Sequence, residues 1–391
     1  MTLEVAVIGT GPDPEEAGGV GYAMGYRHAS AYERIDDCEL SACVDIVEEN
    51  ALAFADRYDL GAESVYTDHR IMLEETSPDL VSVCTPANTH ADLVADCADA
   101  GVGAIHCEKP MASTWRDCER MVEVCEAEGV SLSINHQRRF AGPFRQAKVL
   151  LDDGEIGDLE RIEVGGKNLY DFGTHLFDLC AYFTGGADPE WVRALLVYDD
   201  EDVRYGVHNE NRAMSEWVYD TGVTGFAETG VGDRRSLMTL RGSEGTIEIG
   251  RENGPSLRVR GSTEDEWRSI DTGMERVSHV VVEPSLPVVA LRRADDALPG
   301  PQLLRPIAER IHERGRDPFF EPYIHRALRE VVDATLEGRE SVLRAETALS
   351  ATELIFGSWE SARRQERVEL PLEIEDNPLE AMVEEGRLRP S

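Results

Sequence analysis

An α/β chain of two domains is what the sequence predicts: a parallel sheet wrapped by helices, then an α+β domain with an open, mainly antiparallel sheet. Three observations lead there. The 391 residues exceed what one hydrophobic core usually fills, so two domains are the natural division. From residue 3 to about 137, short β-branched runs alternate with helical patterns, as parallel sheets require. Beyond Arg138 the texture changes to alternating strands joined by glycine-containing turns, the pattern of antiparallel pairing. The expected divisions are 1–137, 138–368, and an acidic, only partly ordered tail at 369–391.

In chain order, Leu3–Ile8, Leu40–Val44, Leu80–Cys84, Gly103–Cys107 and Ser131–Asn135 read as the parallel strands. In the second domain a single helical stretch, near Thr174–Phe183, precedes strands at Trp191–Tyr198, Met214–Tyr219, Gly222–Glu228, Leu237–Arg241 and Thr246–Ile249. Several prolines and mixed charge make 280–318 a long irregular connection. Helical patterns resume from Pro322 through Leu336 and from Ala345 to about Arg364. There is no internal repeat.

Charge sets the chain apart. Against 39 basic residues stand 76 acidic ones, a formal net charge of −37 spread along the whole length, which excludes a nucleic-acid partner held through phosphates. Only Lys109, Lys148 and Lys167 are lysines; the other basic residues are arginines. An acidic, lysine-poor chain fits a salt-rich cytoplasm, where counterions screen self-repulsion, so halophilic origin is expected. Met1 to Gly9 reads as a strand rather than a signal segment, and no apolar run is long enough to span a membrane. A cytoplasmic protein without a membrane partner is expected. The eight cysteines form no CxxC pair and sit in apolar segments, so they read as buried thiols and no metal is predicted.

The first strand runs into Gly9-Thr10-Gly11, the start of a dinucleotide fingerprint whose glycines permit a tight turn and close approach of backbone amides to a pyrophosphate. Asp45 closes the second strand, where a carboxylate accepts hydrogen bonds from adenosine ribose hydroxyls; the alternative is a strand-end aspartate capping a turn. Ile46 to Asn50 hold no cation for a ribose 2′-phosphate, so NAD is expected over NADP. One departure stands out. Thirteen residues, Pro12 to Met24, separate Gly11 from Gly25, so the first helix must start late, and the insertion is either a lid or a solvated surface loop.

Two further segments end parallel strands, where ligands bind in such sheets: Cys84-Thr85-Pro86-Ala87-Asn88-Thr89-His90 and Cys107-Glu108-Lys109-Pro110. Later comes Asp171-Phe172-Gly173-Thr174-His175, whose spacing sets a carboxylate and an imidazole on one side of an incipient helix. A proton acceptor beside a charge partner is what alcohol oxidation needs, since hydride leaves carbon while the hydroxyl proton must leave oxygen. Bland readings stand beside this one: Asp171 as a helix cap, His175 as a structural histidine, Lys109 as a surface lysine. Arg138 and Arg139 are open between domain interface and substrate contact, and Asp178 reads as structural.

Gly9-Thr10-Gly11, Asp45, Glu108-Lys109-Pro110, His136-Gln137-Arg138-Arg139-Phe140 and the Asp171 to His175 spacing resemble the glucose–fructose oxidoreductase and inositol dehydrogenase family, Gfo/Idh/MocA. The resemblance covers nearly the whole chain in order. It implies a Rossmann domain followed by an open sheet with helices on one face, and an NAD-dependent oxidoreductase acting on a sugar, polyol or sugar-derived hydroxyl or carbonyl. It also implies roles: Lys109 donating to the reacting oxygen, His175 as general acid/base, and Asp171 orienting or polarising the proton-transfer group. By the same resemblance Thr85, Pro86, Asn88, His90, Glu108, Lys109 and Gln137 line the cofactor cleft with Gly9, Thr10, Gly11, Asp45 and Ile46.

Competing dehydrogenase classes fail on residues. A short-chain enzyme needs Tyr-x-x-x-Lys, whereas Ile105, Phe144 and Glu163 precede the three lysines by four. A zinc enzyme needs a ligand cluster that the sequence lacks. Within the resemblance, an NAD-retaining glycoside-cleaving enzyme and a silent NAD-binding regulator stay as alternatives. The particular sugar and the physiological direction are not encoded legibly, and an exposed sheet face would make a homodimer or tetramer.

Overall fold

The computed structural model describes residues 2–14, 23–204, 206–231, 236–251, 255–272, 317 and 319–390. The strands β1 (Leu3–Ile8), β2 (Cys38–Val44), β3 (Val65–Tyr66), β4 (Leu80–Val83), β5 (Ala104–Cys107) and β6 (Ser131–Ile134) form one parallel sheet in the order β3-β2-β1-β4-β5-β6. The order reverses between β1 and β4, and that switch point is where doubly wound sheets open a ligand crevice. Helices α1 (Met24–Tyr32), α2 (Glu48–Arg57), α3 (His69–Thr76), α4 (His90–Asp99) and α5 (Trp115–Glu128) make the crossovers. Because both faces are covered, β4 and β5 are buried at every position.

Helix α6 (Gly142–Asp152) leads into the second sheet. Its strands are β7 (Leu159–Gly166), β8 (Pro189–Val197), β11 (Arg212–Tyr219), β12 (Thr224–Thr229), β13 (Met238–Gly242), β14 (Gly245–Ile249), β15 (Leu257–Gly261), β16 (Arg268–Ser269) and β17 (Val368–Glu369), with a small hairpin of β9 (Val203–Arg204) and β10 (Val207–His208) apart from it. Pairing is antiparallel except between β7 and β12. Residues alternate between a covered face, with Val192, Ala194, Ala213, Trp217 and Ala227, and an open face bearing Leu195 and Met214. Helices α7 (Thr174–Thr184) and α9 (Ala345–Arg364) lie on the covered face.

Between them in sequence, α8 (Pro322–Glu337) returns to the first sheet: its apolar stripe of Ile324, Ala327, Leu328 and Val331 shares a core with Leu3, Val5, Tyr32 and Leu80. The last stretch is better ordered than its acidity suggests. Beyond β17, α10 (Pro378–Glu384) is capped by Asn377 and buries Leu379 and Met382, and Asn377 Nδ2 also reaches the Ser113 carbonyl of the first domain at 2.9 Å. The expected irregular connection at 280–318 lies outside the described residues except Asp317.

Candidate active site

The site begins where β1 ends. Gly9 turns with φ +89°, and a Cβ there would come within 2.5 Å of Thr85 Cγ2. Gly25, in the first turn of α1, packs so closely that a Cβ would lie 3.0 Å from the Gly9 carbonyl oxygen and the Thr10 Cα. Gly25 is therefore the glycine that lets the helix approach the strand, and α1 does start late. Pro12 and Pro14 line the cleft, while 15–22 of the insertion lie outside the described residues.

Asp45 makes the turn-capping contacts of one of the two readings the sequence left open, and it also borders the cleft. Its Oδ2 accepts from Gly11 N at 2.8 Å and Thr10 Oγ1 at 3.3 Å, and its Oδ1 accepts from Val47 N at 3.0 Å and Asn50 Nδ2 at 3.2 Å. One carboxylate thus fixes the glycine loop and the entry to α2 while facing the cleft. Ile46 beside it is 90% exposed and borders the same cleft.

From there a cleft of about 1080 Å³ runs along the carboxyl ends of the strands to the second domain. Thr85, Pro86, Asn88, Glu108, Lys109, Gln137, Asp171 and His175 all border it. His90 does not. Fully buried, its ring faces the carbonyls of Thr85 at 2.8 Å and of Pro110 and Met111 at 3.1 Å, so it braces the two strand-end loops behind the cleft instead of lining it.

Glu108 likewise turns its carboxylate inward. Oε1 meets His28 Nε2 at 3.0 Å and accepts from Asn135 Nδ2 at 2.5 Å, and His28 Nδ1 meets Ser82 Oγ at 3.0 Å. Burial alone would raise its pKa, but the hydrogen bond and charge of His28, with Asn135 and Lys109, bring it from 4.5 down to about 2. This ionised group sits under the turn that presents Lys109, and it ties that turn to α1 of the nucleotide loop. His28 carries no sequence signal of its own; it is two residues past the Gly25–Tyr26 pair inside an ordinary helix.

Lys109 Nζ donates to the Asp171 carbonyl at 3.0 Å and to Asp171 Oδ1 at 3.1 Å. Asp171 is not the cap of α7, whose N-cap is Gly173. Its Oδ2 lies 3.5 Å from Arg204 NH1, and its backbone N–H donates to Asn209 Oδ1 at 3.2 Å. The carboxylate therefore serves Lys109 and Arg204. His175, in the first turn of α7, is 4% exposed, and its Nδ1 has no hydrogen-bond partner among the described residues. Burial, reinforced by the charges of Arg138 and Lys109, pushes its pKa well below 6.5, so the imidazole is neutral at neutral pH.

The paired arginines divide. Arg139 grips Asp178 through Nε at 2.7 Å and NH2 at 2.6 Å, a buried ion pair joined by His136 Nδ1 at 3.1 Å, which docks α7 on the end of the first domain. Arg138 lies in the cleft with its guanidinium 4.7 Å over the Phe172 ring. Behind the Asp171 loop, buried Glu210 accepts from Leu169 N at 2.6 Å and Trp359 Nε1 at 3.2 Å, and burial raises its pKa to about 7.

The residues present fit a dinucleotide. The loop leaves no room for a Cβ at Gly25, and Gln137 Oε1, buried at the far end of the cleft, has no hydrogen-bond partner among the described residues. A free acceptor there suits an amide donor. Among the described residues no cluster of ligands could hold a metal, and no helix is long and apolar enough to cross a membrane.

A family model described as an oxidoreductase family with an NAD-binding Rossmann fold matches residues 17–136. The myo-inositol 2-dehydrogenase of Thermotoga maritima is 30% identical over 216 residues, 51% of this chain and 60% of that protein. Rhizopine catabolism protein MocA of Rhizobium meliloti is 30% identical over 243 residues, 52% of this chain and 74% of its own length. In structure, the aldose-aldose oxidoreductase of Caulobacter crescentus, solved with glycerol, superposes with a TM-score of 0.69 at 21% identity, over 95% of this chain and 100% of that one. That likeness is one of fold.

Proposed function

From the membership of this chain in the Gfo/Idh/MocA family of NAD-binding oxidoreductases, we propose that it moves a hydride between nicotinamide and a carbinol carbon of a sugar, polyol or related substrate. The Gly9–Gly11 loop with Gly25 would hold the pyrophosphate, Asp45 and Ile46 the adenosine, Thr85, Pro86 and Asn88 the length of the cleft, and Gln137 the nicotinamide amide. NAD, when bound, supplies the hydride acceptor. Everything else falls to this chain's side chains.

One observation carries the reading: a buried, neutral imidazole with an unpartnered Nδ1 shares a cleft with a Lys109–Asp171 pair. His175 accepts the hydroxyl proton as oxidation proceeds. Lys109, held by Asp171, donates a hydrogen bond to the same oxygen and stabilises the negative charge that grows there. The nearby cations then favour passing the proton onward from the imidazolium to water.

The test is NAD-dependent absorbance across aldoses, inositols and sugar acids in molar salt, for the native chain, Lys109→Ala and His175→Ala. Steady NADH production falling roughly 10²- to 10⁴-fold in both variants is expected. Because the pKa of His175 is lowered, the native acid limb of kcat/KM should lie below pH 6.5 and disappear in His175→Ala. An unchanged profile in that variant would remove His175 from the mechanism. NAD binding with no turnover of any alcohol would remove the dehydrogenase.

A further inference from the structure

We infer that His28 is a positioning residue for the reaction: from beneath the cleft it aims Lys109 by holding the carboxylate of Glu108. The inference deepens the dehydrogenase reading and rests on it.

His28 lies in α1, three residues past Gly25, and is 0% exposed. Its ring meets one side chain from the carboxyl end of each of three neighbouring strands: Ser82 in β4, Glu108 just past β5 and Asn135 just past β6. The Nε2 edge faces Glu108 Oε1 at 3.0 Å, and the Nδ1 edge faces Ser82 Oγ at 3.0 Å and Cys84 Sγ at 3.4 Å. Ser82 Oγ in turn meets Tyr32 OH, at the end of α1, at 2.9 Å. All of these residues except Cys84 are buried, and Cys84 borders the cleft.

An ionised carboxylate only accepts hydrogen bonds, so Nε2 carries a proton and donates it to Glu108. The other oxygen, Oε2, accepts from the backbone N–H of Lys109 at 3.2 Å. Glu108 thus joins the imidazole to the peptide of Lys109 through its two oxygens. Beyond Lys109, His90 holds the carbonyls of Pro110 and Met111 at 3.1 Å. A lysine on a flexible four-carbon stem is aimed by its backbone and by what its ammonium touches; Glu108 fixes the first and Asp171 the second. Because α1 is also the helix whose start packs on the Gly9–Thr10 turn, the same ring sets Lys109 relative to the nucleotide loop.

Stability does not account for the cluster. Apolar side chains of similar volume in place of a buried ionic pair are often neutral or stabilising. Placement does account for it, since a misplacement of about 1 Å in a reacting group costs up to about 100-fold in rate, and Lys109 must meet the charge that grows on the substrate oxygen.

Two variants separate the edges of the ring. The amide of glutamine reaches as far as Nε2 and that of asparagine only as far as Nδ1, so His28→Gln keeps a donor toward Glu108 and His28→Asn keeps a partner only for Ser82. The full chain is assayed in molar salt with NAD and the best alcohol of the sugar and polyol panel. His28→Asn is expected to lower kcat by about ten- to a hundredfold while KM and the calorimetric affinity for NAD stay within about twofold, and His28→Gln to recover to within about threefold of the native kcat. Equal loss in both variants, a loss confined to KM, or no loss in either overturns the inference and leaves the dehydrogenase standing. If the native chain oxidises no alcohol, that reading falls by itself and crystal structures of the two variants decide this one. Lys109 Nζ displaced from Asp171 in His28→Asn and retained in His28→Gln upholds the role of His28. A Lys109–Asp171 contact unchanged in His28→Asn, or lost in both variants, overturns it.

Discussion

Glu108 shows how a single side chain couples stability to chemistry. Its pKa falls from 4.5 to about 2 although it is fully buried, because His28 and Asn135 stabilise the ionised form more than burial penalises it. A carboxylate with a native pKa below its unfolded value stabilises the fold at neutral pH. That contribution fades as pH drops below about 4.5 and is gone near 2. Glu108→Gln should therefore cost about 3 kcal/mol in urea unfolding at pH 7, with the gap to the native chain closing toward pH 2. A penalty independent of pH would mean the pair acts through shape alone. Asp45, Lys109, Asp171 and His175 could be placed on the cleft from sequence because each lies at a strand end or near a helix start. Glu108 borders the cleft with its carboxylate turned inward, and His90, expected to line the cleft, lies behind it. The direction of a side chain depends on what lies behind the strand, and here that is His28, Ser82 and Asn135 from three distant segments.

At the scale of elements, periodicity located the buried strands and both long C-terminal helices within a residue or two. It missed β7, although β7 is the central strand joining the two halves of the second sheet. In Leu159–Gly166 three of the eight positions are charged, two of them adjacent, and the end is Gly-Gly, so alternation is masked by Glu160, Arg161 and Glu163. It also missed α6, which opens on Gly-Pro, and the β9–β10 hairpin, too short to show a period yet the bearer of Arg204 beside Asp171. The nucleotide loop gives the sharpest test at this scale. Among the described residues, Gly25 is the glycine packed against the Gly9–Thr10 turn, where a Cβ would lie 3.0 Å from the Gly9 carbonyl oxygen. Gly25→Ala should push α1 away from the Gly9 carbonyl and weaken NAD binding by about tenfold or more, read by calorimetry, with the chain still folded. Undiminished affinity would remove Gly25 from that role.

Across the whole molecule the balance of charge decides how the fold meets its solvent. With 76 acidic residues against 39 basic ones, exposed ion pairs such as Arg116–Glu123 and Arg241–Glu163 consume the arginines and leave a large surplus of carboxylates. Each such pair contributes at most about 1 kcal/mol, so the pairs do not offset the repulsion summed over the surface. Salt acts on this in two separable ways. Screening shortens the reach of each charge from about 10 Å at 0.1 M to about 3 Å at 1 M and has little left to do beyond that, whereas excluded salts such as sulfate go on strengthening apolar burial as they are added. If the acidic surface is an adaptation to salt, the thermal midpoint in potassium chloride should climb steeply up to about 1 M and then flatten. A midpoint as high in dilute buffer as in molar salt would refute halophilic adaptation. A rise that continues without a bend would assign the stabilisation to apolar burial, and the carboxylate surplus would then serve solubility alone.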